Sequence, residues 1–374
     1  MSWRTCRLGD FMTLKRGHDL PEHARQEGEV PVVSSSGVTG FHNEAKAKAP
    51  GVVTGRYGTL GEVFYVAEDY WPLNTALYVV DFKGNDPQFS AYLLKNALKD
   101  YQSDKAAVPG VDRNVLHEME VVAPDHATQC RVRSVLSGYD DLIENNHRRM
   151  ALLEESARLL YREWFVHLRF PGHEHTRIVD GVPEGWERVP TPDAIEINPK
   201  TRLSDDEEHW YVEMAALLTD SMVIDGAVMR DGRSGSKFRN GDTLFARITP
   251  CLENGKTGFV NFMAPGESGR GSTEFIVLRS KRVTPEFVYC LARTYDFREH
   301  AIKSMVGSSG RQRVQESCFD KYMVLVPPAD LLRRFSESSM PIFDQIKNLH
   351  AQNQKLRAAR DLLLPRLMSG EITV

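Results

Sequence analysis

Cysteine is scarce and scattered: Cys6, Cys130, Cys251, Cys290 and Cys318, with no C-x-x-C pair among them. An odd, dispersed set excludes a disulfide framework and a thiolate zinc site, and fits a reduced compartment. Long apolar runs are also missing. No stretch approaches the length that crosses a bilayer, and residues 1–7 have no signal core. The chain is therefore expected to be soluble and cytoplasmic, with no membrane partner. Nor is there an excess of positive charge, since Lys and Arg number 47 against 51 Asp and Glu, for a net charge of −4. That balance lacks the domain-wide positive field of many nucleic-acid binders, and leaves only local basic loops or a partner subunit to meet phosphates.

Catalytic signatures fail one by one. Pro250-Cys251-Leu252-Glu253-Asn254-Gly255-Lys256-Thr257 nearly spells a phosphate-binding loop, but Pro250 stands where the first glycine belongs. Such a loop must also open a helix, whereas strand-like Gly258-Phe259-Val260 follows. His173 and His175 flank Glu174 without the further ligands a metal needs, so solvated linker residues are expected there. The only Pro-Pro pair, Pro327-Pro328, lacks the Asn or Asp and the aromatic residue of an adenine methyltransferase loop. Glu44 and Lys46 have the layout of some nucleases, a pattern common by chance and without a counterpart in the second half of the chain.

What is present is a tandem repeat. Each half has an opening Trp segment (Trp3, Trp186), a Gly-rich β-like region, a strand ending in Pro and a long amphipathic helix. One constant offset carries Val121 to Val324, Ile143 to Ile346, Leu153 to Leu356 and Leu160 to Leu363. The fold class read from this is α+β: two tandem β-rich domains, each followed by a long helix. Strands are expected at 30–33, 51–54, 62–66, 76–80, 241–248, 256–260 and 275–278, and helices at 87–101 and 285–302. The first long helix is expected over roughly 128–168, with Leu136, Ile143, Met150, Leu153 and Leu160 along its seam. In the second, Ile342, Leu349, Leu356 and Leu363 repeat every seven residues after Phe335, joined by Ile346. Pro365 is expected to kink or end it. Two heptad helices in one chain most simply satisfy each other, as an antiparallel intramolecular coiled coil. The domain boundaries follow: 1–132 and 186–332 for the β-rich domains, 133–168 and 333–370 for the spacer helices, and 169–185 for the linker.

Set beside the missing chemistry, this pattern resembles the specificity subunit of type I restriction-modification enzymes over nearly the whole length. The most specific pieces are Gly241-Asp242-Thr243-Leu244-Phe245-Ala246-Arg247-Ile248-Thr249-Pro250 and Val306-Gly307-Ser308-Ser309-Gly310-Arg311-Gln312-Arg313-Val314. Gly55-Arg56-Tyr57-Gly58-Thr59-Leu60-Gly61 is a looser first-domain form, and Asp141-Leu142-Ile143-Glu144-Asn145-Asn146 resembles the family's helix start. The first half departs at Val108-Pro109-Gly110-Val111-Asp112-Arg113-Asn114, where a Ser-Gly-Arg loop would be expected.

The resemblance implies a protein with no catalytic residue, cofactor or metal of its own. It would present two target recognition domains to double-stranded DNA, one for each part of a split target. Its helices would dock two modification (methyltransferase) subunits, which use S-adenosylmethionine, and restriction subunits, which use ATP and Mg, can add to them. A spacer helix of about 29 residues spans roughly 43 Å. That is about one turn of duplex plus a few base pairs, at roughly 34–36 Å per turn. Base readout favours Arg, Gln, Ser and Thr on loops, and backbone positioning favours Arg and Lys. The expected DNA-binding residues are Arg56, Tyr57, Thr59, Lys105 and Arg113 in the first domain. In the second they are Arg247, Thr249, Lys256, Ser308, Ser309, Arg311, Gln312 and Arg313. A coiled-coil assembly protein with two protein-binding heads and no DNA role is the alternative that shares the repeat and the helices.

Overall fold

The computed structural model describes residues 3–56, 61–99, 110–204, 208–308 and 310–374. The chain divides into two compact units: 1–143 with 354–374, and 144–353. Each unit therefore contains part of both long helices, which run His126–Tyr161 and Ala329–Met368.

The duplication read from the sequence recurs in the strand pairings of the two units. In the first unit Arg4–Arg7 pairs with Glu120–Ala123, and in the second Glu187–Pro190 pairs with Met323–Val326, both antiparallel. A four-stranded sheet in the first unit has the order Thr13–Arg16, Ala76–Asp81, Gly51–Gly55, Val63–Val66. Its counterpart runs Ile195–Ile197, Phe275–Ser280, Thr243–Ala246, Thr257–Phe259. A second sheet, three-stranded in the first unit and four-stranded in the second, is built around one parallel pair in each, Val30–Ser34 with Trp71–Pro72 and Glu208–Val212 with Ser268–Gly271. The central strands Gly51–Gly55 and Thr243–Ala246 are buried throughout, which explains their nearly continuous apolar character.

A helix follows the second strand of each main sheet. Pro87–Leu98 starts at Asp86, whose carboxylate accepts from the Phe89 amide, and Pro285–Ala292 starts at Thr284, whose hydroxyl accepts from the Phe287 amide. An Asp or Thr cap before Pro is a strong start signal, because Pro needs no hydrogen bond at the first helical position. The single helix expected over 285–302 is two helices. Thr294 caps a second one, Tyr295–Lys303, by accepting from the Phe297 amide, so the chain turns where periodicity alone suggested continuity.

In the second unit the long helices run antiparallel: Asn146 meets Asn353 at one end, while Tyr161 and Phe165 pack on Phe335 at the other. Leu349, Ile346, Phe343 and Phe335 are buried in one cluster with Met150, Ala157 and Tyr161. Side chains of this size contribute about 1.5–3 kcal/mol each on burial. In the first unit Asp140 pairs with Arg360 at 2.5 Å, and Leu136 shares a buried cluster with Leu364, Leu367 and Met368.

Of the expected seam, Leu136, Ile143, Met150, Ile346 and Leu349 are buried, while Leu153, Leu160, Ile342, Leu356 and Leu363 are half-buried. The buried row of the second helix also passes through polar Ser339 and Asn353, then shifts to Leu364. A strict seven-residue repeat drifts around a helix of 3.6 residues per turn, and the polar seam positions are invisible to an apolar pattern. Pro365 does not end its helix, which continues to Met368. The proline gives up one bond to the residue four before it, and burial of Leu364, Leu367 and Met368 holds the last turn.

Candidate nucleic-acid interface

In the second unit the strand Thr243–Ala246 runs directly into Arg247, Ile248 and Thr249. Two backbone hydrogen bonds close the segment after Lys303 into a hairpin: the Val306 amide donates to Arg313 at 3.0 Å and the Arg313 amide to Val306 at 2.9 Å. The hairpin tip is fixed to the strand end. The Thr249 amide donates to the Gln312 carbonyl at 3.0 Å, and the Val314 amide to the Arg247 carbonyl at 2.8 Å. Gly307, at φ 134°, permits the tight return, because a Cβ there would lie 2.9 Å from the Arg311 carbonyl oxygen.

Arg247, Thr249, Ser308, Arg311, Gln312 and Arg313 are thus gathered at one sheet end. Their side chains differ in availability. The Arg247 guanidinium donates to Glu316 at 3.0 Å and to the Val314 carbonyl at 3.2 Å, which braces the base of the hairpin. Arg313 grips both oxygens of Glu274 at 2.6–3.0 Å, and this charge-assisted fork holds the Glu274 carboxyl below its ordinary range. The Thr249 hydroxyl donates to Gln312 at 3.3 Å, and the Lys256 ammonium to the Met214 carbonyl at 2.9 Å. Ser308 and Arg311 are exposed at the tip, and Arg311 makes no ion pair among the described residues.

The first unit has the same backbone anchor. The Arg56 amide donates to Thr75 and the Val111 amide to the Arg56 carbonyl, both at 2.9 Å. In the second unit the Arg247 amide donates to Glu274 at 3.0 Å, and the Val314 amide returns to Arg247. Val111 and Val314 are both buried, and each is followed two residues later by a short helix, Arg113–Glu118 or Glu316–Lys321. Arg113 is exposed at its helix start, where Asp112 caps by accepting from the Asn114 amide at 2.8 Å. A cavity of about 250 Å³ lies here, lined by Arg16, Arg56, Leu77, Gly110, Val111, Asp112, Arg113 and Asn114. Arg16 was not singled out by sequence, since a strand-end arginine far from the glycine motif carries no local signal. Tyr57, Thr59, Lys105 and Ser309 lie outside the described residues.

The residues weighed for catalysis do not assemble. Glu44 and Lys46 pair with each other at 2.5 Å on the surface, and the Lys46 ammonium sits 5.0 Å from the Trp71 ring centre. His173, Glu174 and His175 form one short turn after Gly172, with Glu174 and His175 exposed and the His173 ring 2.8 Å from the Phe170 carbonyl. No group of three His, Cys, Asp or Glu among the described residues could hold a metal ion. No helix among them is long and apolar enough to cross a membrane.

Residues 1–155 match the family model described as the type I restriction modification DNA specificity domain. The chain is similar to the type I restriction enzyme MjaIX specificity subunit of Methanocaldococcus jannaschii, at 24% identity over 76% of this chain and 68% of that protein. It is also similar to the EcoEI specificity subunit of Escherichia coli, at 31% identity over 39% of this chain and 26% of that protein. Among solved structures, the type I restriction-modification S subunit from M. genitalium has a similar fold, with a TM-score of 0.56 and 14% identity. That likeness covers 98% of this chain and 96% of the other.

Proposed function

We propose that the chain is a specificity subunit of the type I restriction-modification family, a component without chemistry of its own, and that it reads a DNA target split into two elements. The observation that carries this reading is the duplicated anchor, Arg56 with Val111 and Arg247 with Val314, made by the same backbone pairing at the same sheet end in each unit. In the second unit the reading elements are the exposed hairpin tip, Ser308 and Arg311, with Gln312 beside them. Arg247, Arg313 and Thr249 hold that tip in position. Phosphate and base contacts divide accordingly: braced side chains fix the loop, and free ones are left to meet base edges.

The helices act as the spacer and as the docking site for two modification subunits, to which restriction subunits add. At 36 and 40 residues they exceed the spacer of about 29 residues considered from sequence, and span about 54 and 60 Å at 1.5 Å per residue. Leu152 (70% exposed), Leu159 (39%) and Val166 (50%) recur every seven residues on the outer face of the first helix and the turn after it. An exposed stripe at that period is suited to a partner helix.

Mapping of methylated bases in cells, with and without this chain, tests the reading. Two short elements separated by a constant unread gap are expected, and Arg311→Ala should relax sequence choice in one element only. Methylation at one continuous motif, or methylation independent of the chain, would refute the reading.

A further inference from the structure

Among the described residues the strand Met323–Val326 has one partner, Glu187–Pro190, and its other long edge is open. The register fixes which backbone groups face that edge. In an antiparallel ladder, opposed residues alternate between pairs that exchange hydrogen bonds and pairs that point both polar groups away. The Thr191 amide donates to the Tyr322 carbonyl at 2.9 Å, so those two residues form an exchanging pair. One step on, Met323 faces Pro190, which has no N–H to give. Met323 and Leu325 therefore aim their N–H and C=O groups at the open edge, where they find no partner among the described residues. The first unit repeats this arrangement. Glu120–Ala123 pairs with Arg4–Arg7 alone among the described residues, and the Leu8 amide donates to the Met119 carbonyl at 2.8 Å. By the same alternation Glu120 and Val122 face outward, and the sequence offset carries these two residues to Met323 and Leu325.

In the second unit the open edge forms one wall of a groove of about 490 Å³. Arg158, Arg162 and Val166 line it from the first long helix and the turn after it, and Asp296 from the start of the helix Tyr295–Lys303. Arg158 pairs with Glu155 at 3.4 Å, whereas Arg162 and Asp296 make no ion pair among the described residues. Val166 is also the last member of the exposed stripe that begins at Leu152, so stripe and groove are continuous.

We infer that each open edge takes up an extended segment of a modification subunit as an added strand. Main-chain bonds to Met323 and Leu325, or to Glu120 and Val122, supply the affinity, and alternate side chains supply the fit. Two equivalent edges in one chain match one kind of partner present twice, and the modification subunit is the partner proposed in two copies. In the second unit the segment would carry apolar residues at alternate positions and a carboxylate opposite Arg162. The inference rests on the docking reading of the preceding subsection and deepens it: the stripe receives a helix, and the sheet edge beside it a strand.

The test uses the full chain and its modification subunit. Hydrogen exchange at single-residue resolution needs no variant: the Met323, Leu325, Glu120 and Val122 amides should slow when the modification subunit binds. Val121 and Val324, already paired within the sheet, should change little. Met323→Pro removes one outward N–H, and proline is tolerated at such an edge. Tyr322 already has the extended backbone that precedes proline, at φ −87° and ψ 119°. Glu120→Pro is the twin variant, following Met119 at φ −61° and ψ 133°. Each should weaken one of the two binding steps roughly five- to tenfold, the contribution of one backbone hydrogen bond. Met323→Thr keeps the N–H and should bind within about twofold of wild type. Amides that stay unprotected in the complex would overturn the added strand, as would equal losses from Met323→Pro and Met323→Thr. Protection that appears only when restriction subunits join would overturn the choice of partner. A wild-type chain that retains no modification subunit on copurification would instead overturn the docking reading itself.

Discussion

Asn146 on the first long helix donates a 2.9 Å hydrogen bond to the side-chain carbonyl of Asn353 on the second, with both residues buried. A buried amide pair on a helix seam costs stability relative to leucine, but penalises any register that separates the two amides. Asn353→Ala alone should cost about 1–3 kcal/mol, because the Asn146 amide is then orphaned. Asn146→Leu with Asn353→Leu should restore or raise the melting temperature while permitting association between chains. Thermal unfolding with sedimentation checks both; a double variant less stable than the single one would refute the argument.

Glu154, also buried on the first helix, ties the second unit to that helix. It accepts from the Tyr289 hydroxyl and, at 2.7 Å, from the Met222 amide. Glu154→Ala strands two buried donors at once and should cost about 2–4 kcal/mol in urea unfolding. Tyr289→Phe removes only one bond and should cost less. Equal losses would mean that the Met222 contact contributes nothing.

Alkaline stability follows from the same core. Burial pushes the Tyr161 and Tyr289 hydroxyls well above their ordinary pKa, and Tyr322 is pushed up to about 12 by burial and then by Asp296. A group with a raised native pKa gives up no stability below its unfolded value, and loses it as pH climbs from there. Unfolding free energy should therefore hold up to about pH 10, the ordinary tyrosine value, and fall steadily toward pH 12. Tyr161→Phe should flatten that decline. A pH series of melting curves read by circular dichroism measures it.

Leu152→Glu with Leu159→Glu places charge on the exposed stripe without touching the buried face. The isolated chain should melt within about 1 °C of wild type, since exposed substitutions change stability little. Copurification of the modification subunit should be lost. Retained copurification would move the docking surface elsewhere.

The repeat, the central strands and the helix starts at Pro87 and Pro285 were legible because each is local: buried runs, alternation, and a cap before proline. The helix break at Thr294 was hidden, since Phe297 and Ala301 continue an apolar face across it. The seam was half legible. Leucines half-buried at its margin look the same in sequence as those inside it, and the polar members Asn146, Ser339 and Asn353 carry no apolar signal. At the interface, the glycine-rich hairpin marked itself, whereas Arg247 and Arg313 look identical to Arg311 until Glu316 and Glu274 are seen beside them. Arg16 enters its cavity through strand order alone.

Both compact units borrow from the second long helix, but unequally in time. Leu364, Leu367 and Met368 belong to the buried cluster of the first unit, although they are translated after the whole of the second. Domains usually mature in the order they leave the ribosome. Here the earlier-born half must wait with an open flank until the final turns arrive, so the half made later is the first to be finished.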